Sequence, residues 1–287
     1  MQIASNKIKD VIRFFKQELE GIYEDSEIDA FVAICFEELL NLKHSDLLLN
    51  ADKTMSESEL LKFNFAIKDL KKQKPLQYIL GVADFYGLKF KVNGSVLIPR
   101  PETEELVDLI VKEHKGKTVR ILDIGTGSGC IPISLKKNLS QSTVDAIDIS
   151  EETLLVAKEN AKMNDVDVHF SREDILHPDA AFKNLRYDVI VSNPPYIKES
   201  EKEAMHKNVL EHEPHLALFV YDTDALLFYK VIADHALTML NPGGQIYFEI
   251  NAEHGLETKQ MLENKGFKNV VLIKDMSNKN RILRGSI

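Results

Sequence analysis

The residues with the most chemistry in the shortest span are Asn193-Pro194-Pro195-Tyr196, which follow Val189-Ile190-Val191-Ser192. The apolar run predicts a buried strand. Each proline lacks an N–H and holds φ near about −65°, and each pushes the residue before it out of the helical region. A stiff corner at the end of a strand results. It presents the Asn193 carboxamide, the Pro194 carbonyl and the ring of Tyr196. Two acceptor oxygens suit the two N–H groups of a planar amide or amino group, and Tyr196 can cover its plane. A Pro-Pro pair by itself is a loop breaker. With Asn and Tyr around it, after a buried strand, binding and catalysis are the better expectation.

A second cluster is Gly125-Thr126-Gly127-Ser128-Gly129, after the apolar stretch Val119-Arg120-Ile121-Leu122-Asp123-Ile124. Glycine lets a ligand approach the backbone closely. No Gly-Lys-Ser/Thr follows, so this is not a P-loop, and Cys130 stands where a dinucleotide fingerprint wants Gly or Ala. Alternate glycines better fit the turn of S-adenosylmethionine enzymes, whose cofactor has no phosphate and carries a sulfonium cation. An acidic pocket then makes sense. Asp148 would accept both ribose hydroxyls. Asp174 would meet the adenine amino group, with the Ile175 N–H on a ring nitrogen and its side chain on the ring face.

These residues need elements to position them. From Arg120 the chain alternates strand and helix, with strands expected over Val144–Asp148, Val168–Phe170, Tyr187–Ser192 and Gln245–Ile250, and closing strands over Asn269–Lys274 and Arg281–Leu283. Helices are expected over Ile131–Leu139, Glu151–Asn164, Leu226–Leu240 and Leu256–Lys265. Such alternation gives a parallel, doubly wound α/β sheet with helices on both faces. Ligands bind at the carboxyl ends of its strands, where this chain places Asp123, Asp148, Asp174 and Asn193.

Before this domain the pattern is helical. Ile8, Val11, Ile12, Phe15 and Leu19 fall at helical spacing, Ser26 is placed to cap a second helix, and Ser56 with Glu59 is a capping-box pattern. The expected division is a helical N-terminal domain over 1–75, a β-hairpin linker over 76–96 with its turn signal at Asn93-Gly94, and a catalytic domain over 97–287. Arg100, between two prolines, is rigidly placed, and a buried ion pair is its plainest structural explanation.

The 287 residues carry a net charge of −9. Phosphate contacts need Lys and Arg, so direct nucleic-acid binding is not expected. Cys35 and Cys130 form no disulfide framework. Met1–Lys7 lack the apolar core of a signal peptide, and no apolar run approaches the roughly 20 residues of a membrane span. The expectation is a cytoplasmic monomer. Cys130 reads as a small packed residue beneath the loop, and Pro214 between His212 and His215 argues against a metal site there. His44, His114, His177 and His254 read as surface or loop positions.

Several runs carry a family resemblance: Pro75-Leu76-Gln77-Tyr78-Ile79-Leu80-Gly81, Phe85-Tyr86-Gly87, Leu97-Ile98-Pro99-Arg100-Pro101-Glu102-Thr103-Glu104, Leu122 to Gly129, Asn193 to Ile197, and Glu213-Pro214 with Ala217-Leu218. Through them the chain resembles the bacterial release-factor glutamine N5-methyltransferases of the HemK/PrmC type. The resemblance covers nearly the whole chain. It implies a Rossmann-like seven-stranded methyltransferase domain behind a small all-helical N-terminal domain. It implies S-adenosylmethionine as cofactor, and as substrate the glutamine of the Gly-Gly-Gln loop in peptide-chain release factors. Gly125 to Gly129, Asp148, Ile175 and Asn193 would bind the cofactor, and Asn193 to Tyr196 the glutamine. Asn251, His254 and Ser277-Asn278-Lys279 depart from the family pattern. An amino methyltransferase acting on adenine N6, and a non-catalytic nucleotide-binding module, are the alternatives.

Overall fold

The computed structural model describes residues 5–220 and 222–287, with the backbone alone for Glu203 and Ala204. Met1–Ala4, part of the leader reading, lie outside the described residues. The chain divides into two compact units. One comprises the described residues up to Gly81 together with Lys207–His212, and the other Val82–His206 with Glu213–Ile287.

The first unit is helical: α1 (Ile8–Leu19), α2 (Asp25–Leu40), α3 (His44–Leu49), α4 (Glu57–Leu70) and α5 (Leu76–Leu80). Ile8, Val11, Phe15 and Leu19 form the buried stripe of α1, as the spacing predicts. The Phe63 ring lies 4.5 Å from Phe36 and 6.4 Å from Phe15, centroid to centroid. Ser56 and Glu59 close the capping box of α4: the Ser56 N–H donates to Glu59 Oε2 at 2.7 Å, and the Glu59 N–H to Ser56 Oγ at 3.3 Å. The α2 cap falls at Glu24 rather than Ser26.

The second unit opens on a hairpin of β1 (Val82–Phe85) and β2 (Leu88–Lys91). Its turn is Tyr86-Gly87, not Asn93-Gly94. Both turn residues have positive φ, 49° and 74°, the conformation that fits a two-residue hairpin loop. Tyr86 tolerates it because its N–H donates to Glu104 Oε1 at 2.8 Å and its hydroxyl to Asp108 Oδ1 at 3.1 Å. The Asn93 side chain accepts instead from the Ser95 N–H. Leu76–Leu80, expected in the linker, is helix, ended by Gly81 at φ 73°.

Then follow α6 (Pro101–His114), β3 (Arg120–Ile124), α7 (Cys130–Asn138), β4 (Thr143–Asp148), α8 (Glu151–Met163), β5 (His169–Arg172), α9 (Ala180–Lys183), β6 (Tyr187–Ser192) and β7 (Ile197–Lys198). The helix α10 (Lys207–His212) belongs to the first unit. The chain continues with α11 (His215–Leu218), β8 (Phe219–Val220), α12 (Leu227–Met239), β9 (Leu240–Glu249), α13 (Gly255–Asn264), β10 (Lys268–Lys274) and β11 (Asn280–Ser286). The main sheet has seven strands in the order β10-β11-β9-β6-β3-β4-β5. Strands β9, β6, β3, β4 and β5 are parallel neighbours, and β11 runs antiparallel to both β9 and β10, so the sheet is mixed rather than all parallel. Asn241-Pro242-Gly243-Gly244, between the expected helix and strand, is absorbed into β9 as an irregularity between its pairings with Tyr187 and Val189.

Strand alternation splits the core by face. Leu122, Ile190, Ile246 and Phe248 pack with Tyr229, Ile232 and Leu262. Ile121, Val189, Val191 and Tyr247 pack on the other face with Leu106, Ile133 and the hairpin's Phe85 and Phe90. His114 is buried, not a surface residue, at 3.1 Å from the Tyr247 hydroxyl. Burial holds its pKa below the usual histidine value.

One buried side chain joins three segments. Asn160 on α8 is 0% exposed. Its Oδ1 accepts from the Lys91 N–H at 2.6 Å, and its Nδ2 donates to the Lys91 and Ser128 carbonyls at 3.0 and 2.9 Å. Each hydrogen bond contributes about 1 kcal/mol, and orphaned buried partners raise the loss. Asn160→Ala is expected to lower unfolding free energy by about 3 kcal/mol, as read from the denaturant midpoint at constant slope.

Candidate active site

The sheet order reverses direction between β3 and β6, the place where α/β sheets open a crevice. A cavity of about 430 Å³ lies there. Its wall includes Gly125 and Gly127 after β3, Asp148 to Ser150 after β4, Asp174 to Leu176 after β5, and Ser192 to Pro195 at the end of β6. Val96, Leu97, Leu216, Ala217, Phe228 and Ile232 supply apolar wall.

The glycine loop is held from the neighbouring strand. The N–H groups of Gly125 and Thr126 both donate to the Ile147 carbonyl, at 2.9 and 3.0 Å. Gly125, Gly127 and Gly129 have φ of 76°, 54° and 80°, a region that favours glycine. A Cβ on Gly125 or Gly127 would meet nothing within 4 Å, so the chain leaves room there. At Gly129 it would strike Ile133 at 2.9 Å, which explains the third glycine as packing. Thr126 and Ser128 are buried. Of the loop, then, the cavity wall takes the backbone of Gly125 and Gly127.

Asp148 Oδ2 accepts from the Gly127 N–H at 3.0 Å, and Oδ1 from the Ser150 N–H at 3.0 Å. Both oxygens are fixed in place, and each keeps acceptor capacity. Burial raises its pKa against these hydrogen bonds. Asp174 Oδ1 accepts from the Leu176 N–H at 2.9 Å, and His177 lies 3.2 Å from Oδ2. Ile175 is buried. Asp123, beneath the loop, has both carboxyl oxygens buried with no hydrogen-bond partner. Burial, with the nearby charge of Asp148, pushes its pKa up to about 7. Unlike Asp148, Asp174 and Asn193, Asp123 is not among the residues that line the cavity.

Asn193, Pro194 and Pro195 reach the same cavity. Tyr196 is not among its lining residues. It packs half-buried on the core with Tyr229 and Phe248. Beside the corner stand two residues that the sequence did not single out for a role. Asn193 Nδ2 lies 3.5 Å from Thr103 Oγ1 on α6, and Thr103 donates to Glu249 Oε2 at 2.6 Å. Glu249 ends the buried stretch of β9 and is 1% exposed. Its only signal in sequence is an acid closing an apolar strand.

Arg100 forms an ion pair in which its own side chain is 33% exposed and that of Glu213 is buried. Its Nη2 lies 2.5 Å from Glu213 Oε1, and the Ile98 N–H donates to Glu213 Oε2 at 3.3 Å. The pair ties the segment before α6 to the one carrying Leu216 and Ala217. His215 stacks edge-on to Phe219. Burial lifts the Cys130 thiol to about 12, so this residue packs and does not react. The departures from the family pattern are absorbed locally. Asn251 Oδ1 accepts from the Glu253 N–H, and Asn278 takes φ of 63°, standing in for a glycine.

An α/β sheet with a glycine loop, a fixed carboxylate and an Asn-Pro-Pro corner around one crevice defines a methyltransferase. Residues 102–217 match the model of the methyltransferase small domain, and residues 10–81 that of the PrmC N-terminal domain. A release factor glutamine methyltransferase from Flavobacterium psychrophilum is 48% identical over 281 residues, spanning 96% of this chain and 98% of that one. One from Bacteroides thetaiotaomicron is 45% identical over 273 residues, spanning 95% and 98%. The chain belongs to the release factor glutamine methyltransferase family. Among solved structures, a methyltransferase from Pyrococcus furiosus shares the fold, at 18% identity and a TM-score of 0.53 over 70% of this chain and 90% of that one.

Asp123 gives a pH signature. Its folded pKa lies above the unfolded value of about 3.9, so the folded state holds the proton more tightly and stability falls as pH rises from about 4 to about 7. Ligand-free Asp123→Asn is expected to be more stable than wild type at pH 8. The advantage should shrink steadily as denaturation is repeated toward pH 5.

Proposed function

We propose that this protein transfers a methyl group from S-adenosylmethionine to the side-chain amide nitrogen of the glutamine in the Gly-Gly-Gln loop of peptide-chain release factors. The observation that carries the reading is that Asp148, fixed by two N–H donors, and the Asn193-Pro194 corner face one cavity. The family supplies the substrate class, since the curated relatives are named for it.

When bound, S-adenosylmethionine supplies a methyl group on a sulfonium, whose departing thioether is neutral. Asp148 would accept from the ribose hydroxyls. Asp174 and Ile175 would take the adenine amino edge and ring face, and Gly125 and Gly127 would admit the ligand to the backbone. The substrate amide is a poor nucleophile because its lone pair is delocalised. Asn193 Oδ1 and the Pro194 carbonyl accept its two hydrogens, hold the nitrogen in line, and stabilise the positive charge developing on it. Tyr196 supports the corner from the core side, where burial holds its pKa above the usual tyrosine value. No acid is needed, and the methylated nitrogen passes one proton to solvent water, which restores the neutral amide. The net charge of −9 favours a protein substrate over nucleic acid. Among the described residues, no helix is long and apolar enough to cross a membrane. We place the enzyme as a cytoplasmic monomer, all of the site residues coming from one unit of one chain.

Methyl-labelled cofactor offered with a release factor in one tube and unmethylated DNA in another tests the reading. Label is expected in the release factor, and label in DNA only overturns the assignment. Asn193→Ala should cut turnover by about a hundredfold or more while cofactor affinity, read by calorimetry, holds. Asp148→Ala should instead weaken cofactor binding by roughly tenfold or more, the size of a lost charge-assisted hydrogen bond.

A further inference from the structure

We propose that Glu249, acting through Thr103, fixes which way round the Asn193 carboxamide faces, and that these two are positioning residues for methyl transfer. The inference rests on the role given to Asn193 above.

A threonine hydroxyl has one proton. Thr103 spends it on Glu249 Oε2, at 2.6 Å, because an ionised carboxylate can only accept. The same oxygen then has only lone pairs to offer Asn193, and so selects the NH2 end of the amide. Nδ2 is the atom found beside it, at 3.5 Å. That is a long contact, of a kind that tightens when a site is filled. With NH2 held on the α6 side, Oδ1 is left for a donor from elsewhere. A substrate amide needs that acceptor. The opposite rotamer would offer it two hydrogens and repel it.

Glu249 is well placed to hold this role. It is 1% exposed, and its backbone carbonyl accepts from the Tyr229 hydroxyl at 3.1 Å. The charged and titratable groups facing it are Arg281 from β11, Arg100 and Glu102 at the start of α6, Cys130 from α7, and Tyr196 and Tyr229. Burial outweighs the Thr103 hydrogen bond and the two arginines and lifts its pKa to about 7. Below that pH a protonated Glu249 can donate to Thr103, whose hydroxyl then turns its proton toward Asn193 and favours the wrong rotamer.

The test compares wild type with Thr103→Val, Glu249→Gln, their double variant and Thr103→Ser, in methyl transfer to a release factor between pH 6 and 8. At pH 8, Thr103→Val should lower kcat by about three- to tenfold, the cost of leaving one side chain unordered, with cofactor affinity unchanged. The double variant should be no worse than Thr103→Val, and Thr103→Ser should recover the loss. The wild-type to Thr103→Val rate ratio should fall toward one as pH drops to 6. Taking that ratio cancels any titration the two proteins share, Asp123 included. A ratio that is flat with pH, or a Thr103→Val kcat within about twofold of wild type, overturns the inference. A wild type that methylates no release factor overturns the functional reading instead. The relay is then decided without substrate, by nuclear magnetic resonance of the Asn193 side-chain NH2, assigned through its loss in Asn193→Ala. These signals should titrate near pH 7 in wild type and in Thr103→Ser, and not in Glu249→Gln. Recorded in an Asp123→Asn background, which removes the other group placed near 7, persistence of the titration in Glu249→Gln refutes the relay.

Discussion

Burying a carboxyl group away from any counter-charge costs free energy, and this protein does so at the ends of adjacent strands. Asp123 has no hydrogen-bond partner, and Asp148 is met only by backbone N–H groups among the contacts that fix it. Both pKa values are raised by burial. No core packing recovers that cost. Asp148 faces the cavity, where hydroxyl donors of a ligand can offset part of its cost, while Asp123 stays beneath the loop and keeps its own. The absence of a lysine in the glycine loop follows from the same logic, since a resident cation there would compete with a cationic cofactor.

The scaffold around the crevice is built from polar ties between segments far apart in sequence. Asn160 joins α8 to the hairpin and to the glycine loop. Glu213 joins the segment before α6 to the lip carrying Leu216. Thr103 joins α6 to β9. Each tie is buried or nearly so, where the loss of one partner strands the other. Apolar packing on the two sheet faces gives stability, and these ties set where the ligand-facing backbone lies.

Much of this was legible in the sequence for physical reasons. The strands β3 and β6 are near-continuous apolar runs, as burial on both faces demands. The strand-end residues Asp148, Asp174 and Asn193 were found because the fold puts ligands at such ends, and all three reach one cavity. What escaped depends on partners far away in the chain. Tyr86 adopts positive φ because Glu104 takes its N–H, and no local pattern announces that. His114 is buried because Tyr247, on a strand 133 residues on, receives it. Thr103 and Glu249 look like a helix residue and a strand end until the sheet brings them together, 146 residues apart in sequence. Short helices such as α3 and α5 are too brief for periodicity to declare them.

The suspension of the glycine loop from the Ile147 carbonyl has a kinetic meaning. Two loop amides share an acceptor that belongs to a central strand, so they can open to water only when that strand's edge does. Their hydrogen exchange is thereby tied to the slow breathing of the sheet rather than to the quick fraying usual in surface turns. A cradle of this kind exists before anything enters it. An arriving small molecule spends no binding energy on ordering that stretch of backbone.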